Sequence, residues 1–300
     1  MKRLSLSARK LILTLVLPLS SLFACHSAFA GSESLEQKLS ALEKRANGRI
    51  GMALIESGSQ RMLTYRGDER FAMASTFKAL LAGAVLQKSV GQPGLLSKRV
   101  TYDKASLVVY SPVTEQHLEE GMTVSELCKA AVEWSDNSAA NLLLKELGGP
   151  ASVTQLAMSL GDDKTRLDRW EPELNSAIPG DERDTSTPLS MARNLLKLTV
   201  ADGLPKEQQQ LLVSWLKDSK TGAQSIRAGV PGGWPVGDKT GAGEYGTTND
   251  LAIIWPPTGQ PLVLAIYFTQ REQKAQARRD VLASVSKMVL AEFTGNPTKH

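Results

Sequence analysis

The chain has 300 residues, is 42% hydrophobic and 22% charged, and carries a formal net charge of +4. Collagen-like, disordered and coiled-coil chains are excluded, and the length allows one large domain or two modest ones around a packed core. The charge excess is local: residues 1–30 hold Lys2, Arg3, Arg9 and Lys10 and no acid, so the remainder is formally neutral and has no general electrostatic claim on nucleic acid.

Those first thirty residues read as an export signal. A basic start precedes the apolar run from Leu11 to Leu22, which Pro18 interrupts and which is too short to span a bilayer comfortably. Ala28-Phe29-Ala30 then supplies a small-x-small cleavage pattern before Gly31. A rival is the loose lipoprotein box Leu22-Phe23-Ala24-Cys25, in which Phe23 is bulky. The expected mature protein is exported to the periplasm and free of the membrane. Cleavage leaves Cys128 without a partner, so no intramolecular disulfide forms. It also leaves His117 as the one histidine in the body, because His26 departs and His300 is terminal. A zinc site of several histidines is therefore unavailable. His117 sits in the polar stretch 114–120 and reads as a solvent-facing loop residue, so a serine hydrolase built here would take Lys or Glu as its base.

Leu35, Leu39 and Leu42 recur at helical spacing and place a first helix near 33–46. Residues 50–55 and 62–65 form a strand hairpin turning at Ser57-Gly58-Ser59. From 73 to 217 the pattern is helical, with helices over 76–88, 123–134, 137–147, 187–199 and 205–217. Strands return over 234–239, 247–255 and 262–269, and a final amphipathic helix runs from Gln273 to Phe293. Strands at both ends with helices between give an α/β (α+β) fold, one sheet from both termini plus an inserted helical domain. The expected division is signal 1–30, an α/β domain of 31–68 and 217–300, and a helical domain of 69–216. Within the last, residues 166–184 are dense in charge, hold two prolines and show no period. Such long loops are functional or disordered.

Three short motifs stand in order. Ser75-Thr76-Phe77-Lys78 fits S-x-x-K, a spacing that puts a hydroxyl and an amine on one helix face at a helix N-terminus. Ser7/Lys10, Ser214/Lys217 and Ser284/Lys287 fit it too, and the plain reading of Ser75 is a helix cap. Ser135-Asp136-Asn137 occurs once, between two helices. It is either a cap or a hydroxyl that passes a proton beside an amide that binds a carbonyl. Lys239-Thr240-Gly241 lies between two strand-like runs, on a candidate edge strand facing a cleft. The same letters at Lys220-Thr221-Gly222 open a helical stretch, where Thr221 reads as a cap. Gly232 to Thr240 falls one residue from a phosphate-binding loop, but it leads into a strand rather than the helix such a loop needs.

Together, in this order, the motifs resemble those of the serine β-lactamases and penicillin-binding proteins. The resemblance to class A β-lactamases spans the mature chain. Glu171-Pro172-Glu173-Leu174-Asn175 is similar to that class's omega-loop motif, Arg169 and Asp184 to the ion pair that closes the loop, and a cis peptide is implied at Glu171–Pro172. Residues 241–250 and Arg278-Arg279-Asp280 look closest to the cefotaximase (CTX-M-like) branch.

The resemblance implies an antiparallel sheet and an active site between the two domains. Ser75 would attack the β-lactam carbonyl, and Lys78, or Glu171 through a water, would take its proton. Ser135 would pass a proton to the ring nitrogen, with Lys239 biasing the local charge. The N–H groups of Ser75 and Ala242 would form the oxyanion hole. Glu171 and Asn175 would hold the deacylating water. Asn137 would bind the substrate's side-chain amide, Tyr110 would wall the cleft, and Thr240, Gly241 and Arg279 would line the carboxylate end. No cofactor or metal is implied, the partner is a small-molecule β-lactam, and the protein is expected to be a monomer. Ala74 and Gly243 exclude the cysteine pair of some carbapenem-hydrolysing relatives, Ala82 stands where the penicillinase branch pairs a cysteine with Cys128, and Thr248 stands where that branch carries arginine. Two rivals share the acylation motifs: a D-alanyl-D-alanine peptidase lacking the deacylating loop, and a non-hydrolysing β-lactam sensor.

Overall fold

A computed structural model describes residues 33–59 and 61–295. The cleavage site after Ala30, the lipoprotein box and His300 lie outside them. Helix α1 (Leu35–Ala46) starts at a reciprocal cap, in which the Ser34 hydroxyl accepts from Gln37 N and the Gln37 side chain accepts from Ser34 N. Strands β1 (Gly48–Glu56), β2 (Met62–Tyr65) and the short β3 (Phe71–Ala72) follow. A single 3₁₀ turn, Ala74–Thr76, leads into α2 (Phe77–Gly91). Next come β4 (Arg99–Val100), paired with β5 (Met122–Thr123), then α3 (Val124–Glu133), α4 (Asn137–Leu147) and α5 (Ala151–Ser159). After a long loop, β6 (Thr185–Ser186) pairs with β3, and α6 (Pro188–Thr199), α7 (Lys206–Lys217) and the single turn α8 (Ile226–Gly229) follow. The chain ends with β7 (Val236–Ala242), β8 (Thr248–Ile254), β9 (Leu262–Gln270) and α9 (Arg279–Gly295).

The main sheet has the order β2-β1-β9-β8-β7 with every neighbouring pair antiparallel, so both chain ends build it, as expected. Its central strands read as continuous apolar runs because both faces are covered. Ile50, Met52, Leu54, Leu264 and Ile266 pack with Leu39, Val285 and Val289 of α1 and α9. The alternate residues Ala53, Ile55, Val263, Ala265 and Tyr267 pack into the core of the helices on the other face. Helix α2 is buried on all sides from Phe77 to Leu86. Burying each of its large apolar side chains contributes about 1.5–3 kcal/mol. Lys78, fully buried in that run, needs its charge or its amine satisfied from within the protein.

Two sequence expectations are corrected. The last helix begins at Arg279 rather than Gln273. The carbonyls of Gln273 and Gln276 accept from Tyr245 N and Gln270 Nε2, which holds this stretch to the β7–β8 hairpin and the end of β9 instead of a helix. Thr221 caps no helix: its hydroxyl lies 2.6 Å from that of Thr240, and Ser225 precedes α8. Lys239-Thr240-Gly241 lies on the edge strand β7, as expected, with the strand running on through it to Ala242. No helix among the described residues is long and apolar enough to cross a membrane.

Candidate active site

Ser75 lies in the 3₁₀ turn between β3 and α2, where Ala74 takes a left-handed φ of 43°. The turn is held from inside and outside. Thr76 Oγ1 donates to Met73 O at 2.8 Å, and the Asn249 side chain on β8 donates to Ala72 O at 2.8 Å and Met73 O at 3.0 Å. β7 runs close by: a Cβ on Gly241 would stand 3.2 Å from Ser75 N and 2.9 Å from Met73 O, so only glycine lets the strand pass.

One turn along, Lys78 projects onto the same face as Ser75. Its Nζ contacts four oxygens: Ser75 Oγ at 2.9 Å, Ser135 O at 2.8 Å, Asn137 Oδ1 at 2.6 Å and Glu171 Oε1 at 2.9 Å. Burial pushes the Lys78 amine below its ordinary pKa, and the Glu171 carboxylate beside it opposes that shift. Ser75 Oγ also lies 3.3 Å from Glu171 Oε1. Hydroxyl, amine and carboxylate therefore form one contiguous buried set.

Ser135-Asp136-Asn137 both caps α4 and contacts the buried amines of Lys78 and Lys239. Asp136 caps α4 through Ala139 N and also accepts from Val113 N and Thr114 N, which anchors the loop after Tyr110. Asn137 Nδ2 and N donate to Val109 O and Tyr110 O, so Tyr110, 54% exposed, stands at the cleft mouth. Ser135 has a φ of 61°, with its carbonyl towards Lys78 and its hydroxyl 2.9 Å from Lys239 Nζ. Lys239 is fully buried. Burial first, and then the Lys78 charge, lower its pKa to about 7.

Glu171 arrives from the irregular segment. Arg169 Nε donates to Asp184 at 2.5 Å, and Asp184 also accepts from Asp168 N and Arg169 N, so this pair closes the loop. The Glu171–Pro172 peptide is cis. Asn141 clamps the backbone of Glu171, accepting from its N–H at 3.0 Å and donating to its carbonyl at 2.9 Å. Asn175 Nδ2 donates to Glu171 Oε2 at 2.5 Å, while Asn175 Oδ1 is buried and has no partner among the described residues. A polar ligand beside Glu171 would satisfy it. Glu244 N donates to Asn175 O, and a Cβ on Gly243 would meet that carbonyl at 2.7 Å, so the β7–β8 hairpin leans directly on the loop.

A cleft of about 280 Å³ runs from Ser75, Ser135 and Asn137 to Thr240, Gly241, Ala242 and Arg279. Every sequence-singled site residue lies in this cleft or in the buried set behind it. Cys128 is buried in the core of α3, and His117 sits on the surface against Glu120. At the far end Arg279 is exposed and makes no ion pair among the described residues, because Arg278 occupies Asp280. Thr248 Oγ1 accepts from Arg278 N at 2.9 Å and so fixes the start of α9. Sequence reading missed Asn141, Thr221, Ser225 and Asn249. Only Asn141 had a readable signal, four residues after Asn137 on the same helix face.

A sequence model described as the beta-lactamase enzyme family matches residues 34–293. The chain is 53% identical to Beta-lactamase OXY-1 of Klebsiella oxytoca over 94% of this chain and 97% of that one. It is 52% identical to Beta-lactamase CTX-M-97 of Escherichia coli over 94% of this chain and 97% of that one. The crystal structure of a beta-lactamase from Desulfarculus baarsii DSM 2075 superposes with a TM-score of 0.85 at 52% identity, covering 87% of this chain and 97% of that one.

Proposed function

The chain belongs to the beta-lactamase enzyme family, and on that premise we propose how its buried groups divide the work. It is a class A serine β-lactamase that hydrolyses β-lactam antibiotics and so confers resistance. Ser75 Oγ attacks the ring carbonyl and forms an ester. Two acceptors for its proton lie within reach, the Lys78 amine at 2.9 Å and Glu171 Oε1 at 3.3 Å. The negative oxygen forms where β7 passes Ser75 N, between the N–H groups of Ser75 and Ala242. One such donor is worth roughly 10²–10³-fold. Ser135 Oγ protonates the departing ring nitrogen, and Lys239, 2.9 Å away, is the cation that favours this transfer.

Hydrolysis of the ester needs a second base. The observation that carries the hydrolytic reading is Asn175 Oδ1, buried, without a partner among the described residues, and on the side chain whose Nδ2 is bonded to Glu171, so it is an acceptor available to hold a water for attack. A peptidase or a sensor needs no such arrangement. Asn137 binds the substrate's amide side chain, Tyr110 walls the cleft, and Thr240, Gly241 and Arg279 receive the carboxylate. Oxyimino cephalosporins are among the substrates. We propose further that 31–68 and 217–300 form the α/β domain and 69–216 the helical one. Supporting this, all five strands of the main sheet come from the first set of residues and helices α2 to α6 from the second. The mature protein is a periplasmic monomer. Nitrocefin turnover by the purified mature chain tests the hydrolytic reading. Steady multiple turnover is expected, and one equivalent of acylation followed by arrest would overturn it.

A further inference from the structure

A larger cavity, about 1050 Å³, shares no lining residue with the cleft of Ser75. Its walls are the end of α1, the segment entering β3, the end of β9 and residues 177–183 of the loop that carries Glu171. Six cations line it: Lys44, Arg49, Arg66, Arg70, Arg183 and Arg271. Against them stand Glu43, Asp181 and Glu182.

Three of the cations are neutralised locally. Arg66 pairs with Glu43 and Glu69, Arg49 pairs with Glu69 and lies 3.8 Å over the Phe71 ring, and Arg183 pairs with Asp181. The other three are not. Among the described residues Arg70 donates only to neutral oxygens, Lys164 O at 2.6 Å and Thr185 Oγ1 at 3.0 Å. The side chains of Lys44 and Arg271 make no hydrogen bond or ion pair among the described residues. Glu182 makes no ion pair among the described residues and offsets one of these three, so an excess of about two positive charges, supplied by three segments distant in sequence, faces one concavity. Like charge in a concavity with low-dielectric walls focuses the field and concentrates counter-ions. Guanidinium groups grip phosphate and carboxylate oxygens two at a time. The volume exceeds what a simple ion fills and is at the upper end of small-molecule sites, which run to about 1,000 Å³.

We propose that this cavity is a second binding site, separate from the β-lactam cleft, for a multivalent anion bearing two or more phosphate or carboxylate groups. Lys44 and Arg271 are the residues to reverse, since neither supports the fold through a bond of its own. Calorimetric titration with pyrophosphate at constant ionic strength should show saturable one-to-one binding. The K44E/R271E variant should bind at least about tenfold more weakly, the loss of one charge-assisted contact, while its nitrocefin turnover stays at wild-type level. A second arm measures co-sedimentation with phosphatidylglycerol vesicles against phosphatidylcholine vesicles. K44E/R271E-sensitive binding there without pyrophosphate binding assigns the anion to a lipid headgroup, and the reverse assigns it to a free phosphate. Absence of saturable binding in both arms overturns the proposal. So does undiminished binding by K44E/R271E, or an equal loss on reversing the exposed Lys104 and Lys287 elsewhere on the surface.

Discussion

The two ends of the cleft are built on different principles. At the nucleophile end, Lys78, Ser135, Glu171 and Lys239 are all buried, and each side chain meets at least one other of the set or Ser75. At the carboxylate end, Arg279 is exposed and unpaired among the described residues, and Thr240 is held by one hydroxyl contact with Thr221. On the proposed roles, the buried end would work through shifted protonation in a low dielectric, where each charge depends on its neighbours. The open end would work through a solvated cation, which acts weakly and independently. Losses at the buried end should therefore be large and strongly non-additive, and losses at the open end small and dependent on substrate.

The largest effect belongs to Ser75. Ser75→Ala should abolish covalent labelling by penicillin and lower turnover by at least about 10³-fold, as nucleophile deletions do. Intact-mass measurement checks it, and an adduct persisting on another serine would overturn the assignment. Glu171→Ala should be next, lowering hydrolysis by roughly 10²–10⁴-fold through loss of the general base. Its signature is a long-lived Ser75 adduct in the mass spectrum, since Lys78 remains to support acylation. Near-normal turnover would place the deacylating base elsewhere and break the contrast between the two ends.

Legibility in the sequence divides along the same line. Ser75 with Lys78, and Asp136 with Asn137, stand at fixed offsets on or beside helices, so spacing alone puts their groups on one face or at one cap. Glu171 is legible by its motif, although its loop has no periodicity. Thr221 reads as a cap in the sequence and is not one, because its contact with Thr240 spans two segments that only the fold brings together. Asn249 is silent in the sequence for the same reason: it acts across the sheet on the carbonyls of Ala72 and Met73. The pattern places the start of α9 too early because the bonds that hold Gln273 and Gln276 come from the β7–β8 hairpin and the end of β9, which no local period shows.

Lys239 gives an intermediate test through pH. Its pKa is lowered from 10.5 to about 7, so the cation beside Ser135 is lost as pH rises through that value. Acylation that needs the cation should then fall about tenfold per pH unit on the alkaline side. Stability should move the other way. Between about 7 and 10.5 the unfolded chain holds this proton and the folded chain does not, so the contribution to stability rises with pH. A falling kcat/KM with a steady or rising melting temperature would separate titration from unfolding. Lys239→Arg keeps its proton throughout and should push the alkaline limb to higher pH. An unmoved limb would take Lys239 out of the pH profile.

The smallest effect is expected at Arg279, and it sharpens the comparison most. β-Lactams carry a carboxylate beside the scissile ring, and Lys239 would offer it only a point charge already engaged with Ser135 and Thr240 O. Arg279 is the free fork-shaped donor lining the cleft, with Arg278 turned away onto Asp280 and Thr248 securing the backbone before it. A direct charge-assisted bond is worth about 1.5–3 kcal/mol. Arg279→Ala should therefore lower kcat/KM by roughly 10- to 150-fold at most, since 1.4 kcal/mol is tenfold. Exposure and screening put the effect towards the lower figure, and added salt should shrink it further. The loss should be greater for cefotaxime than for a penicillin. Unchanged kcat/KM for both would return Arg279 to the surface of α9, and a loss as large as that of Glu171→Ala would show that the open end is not independent of the buried one.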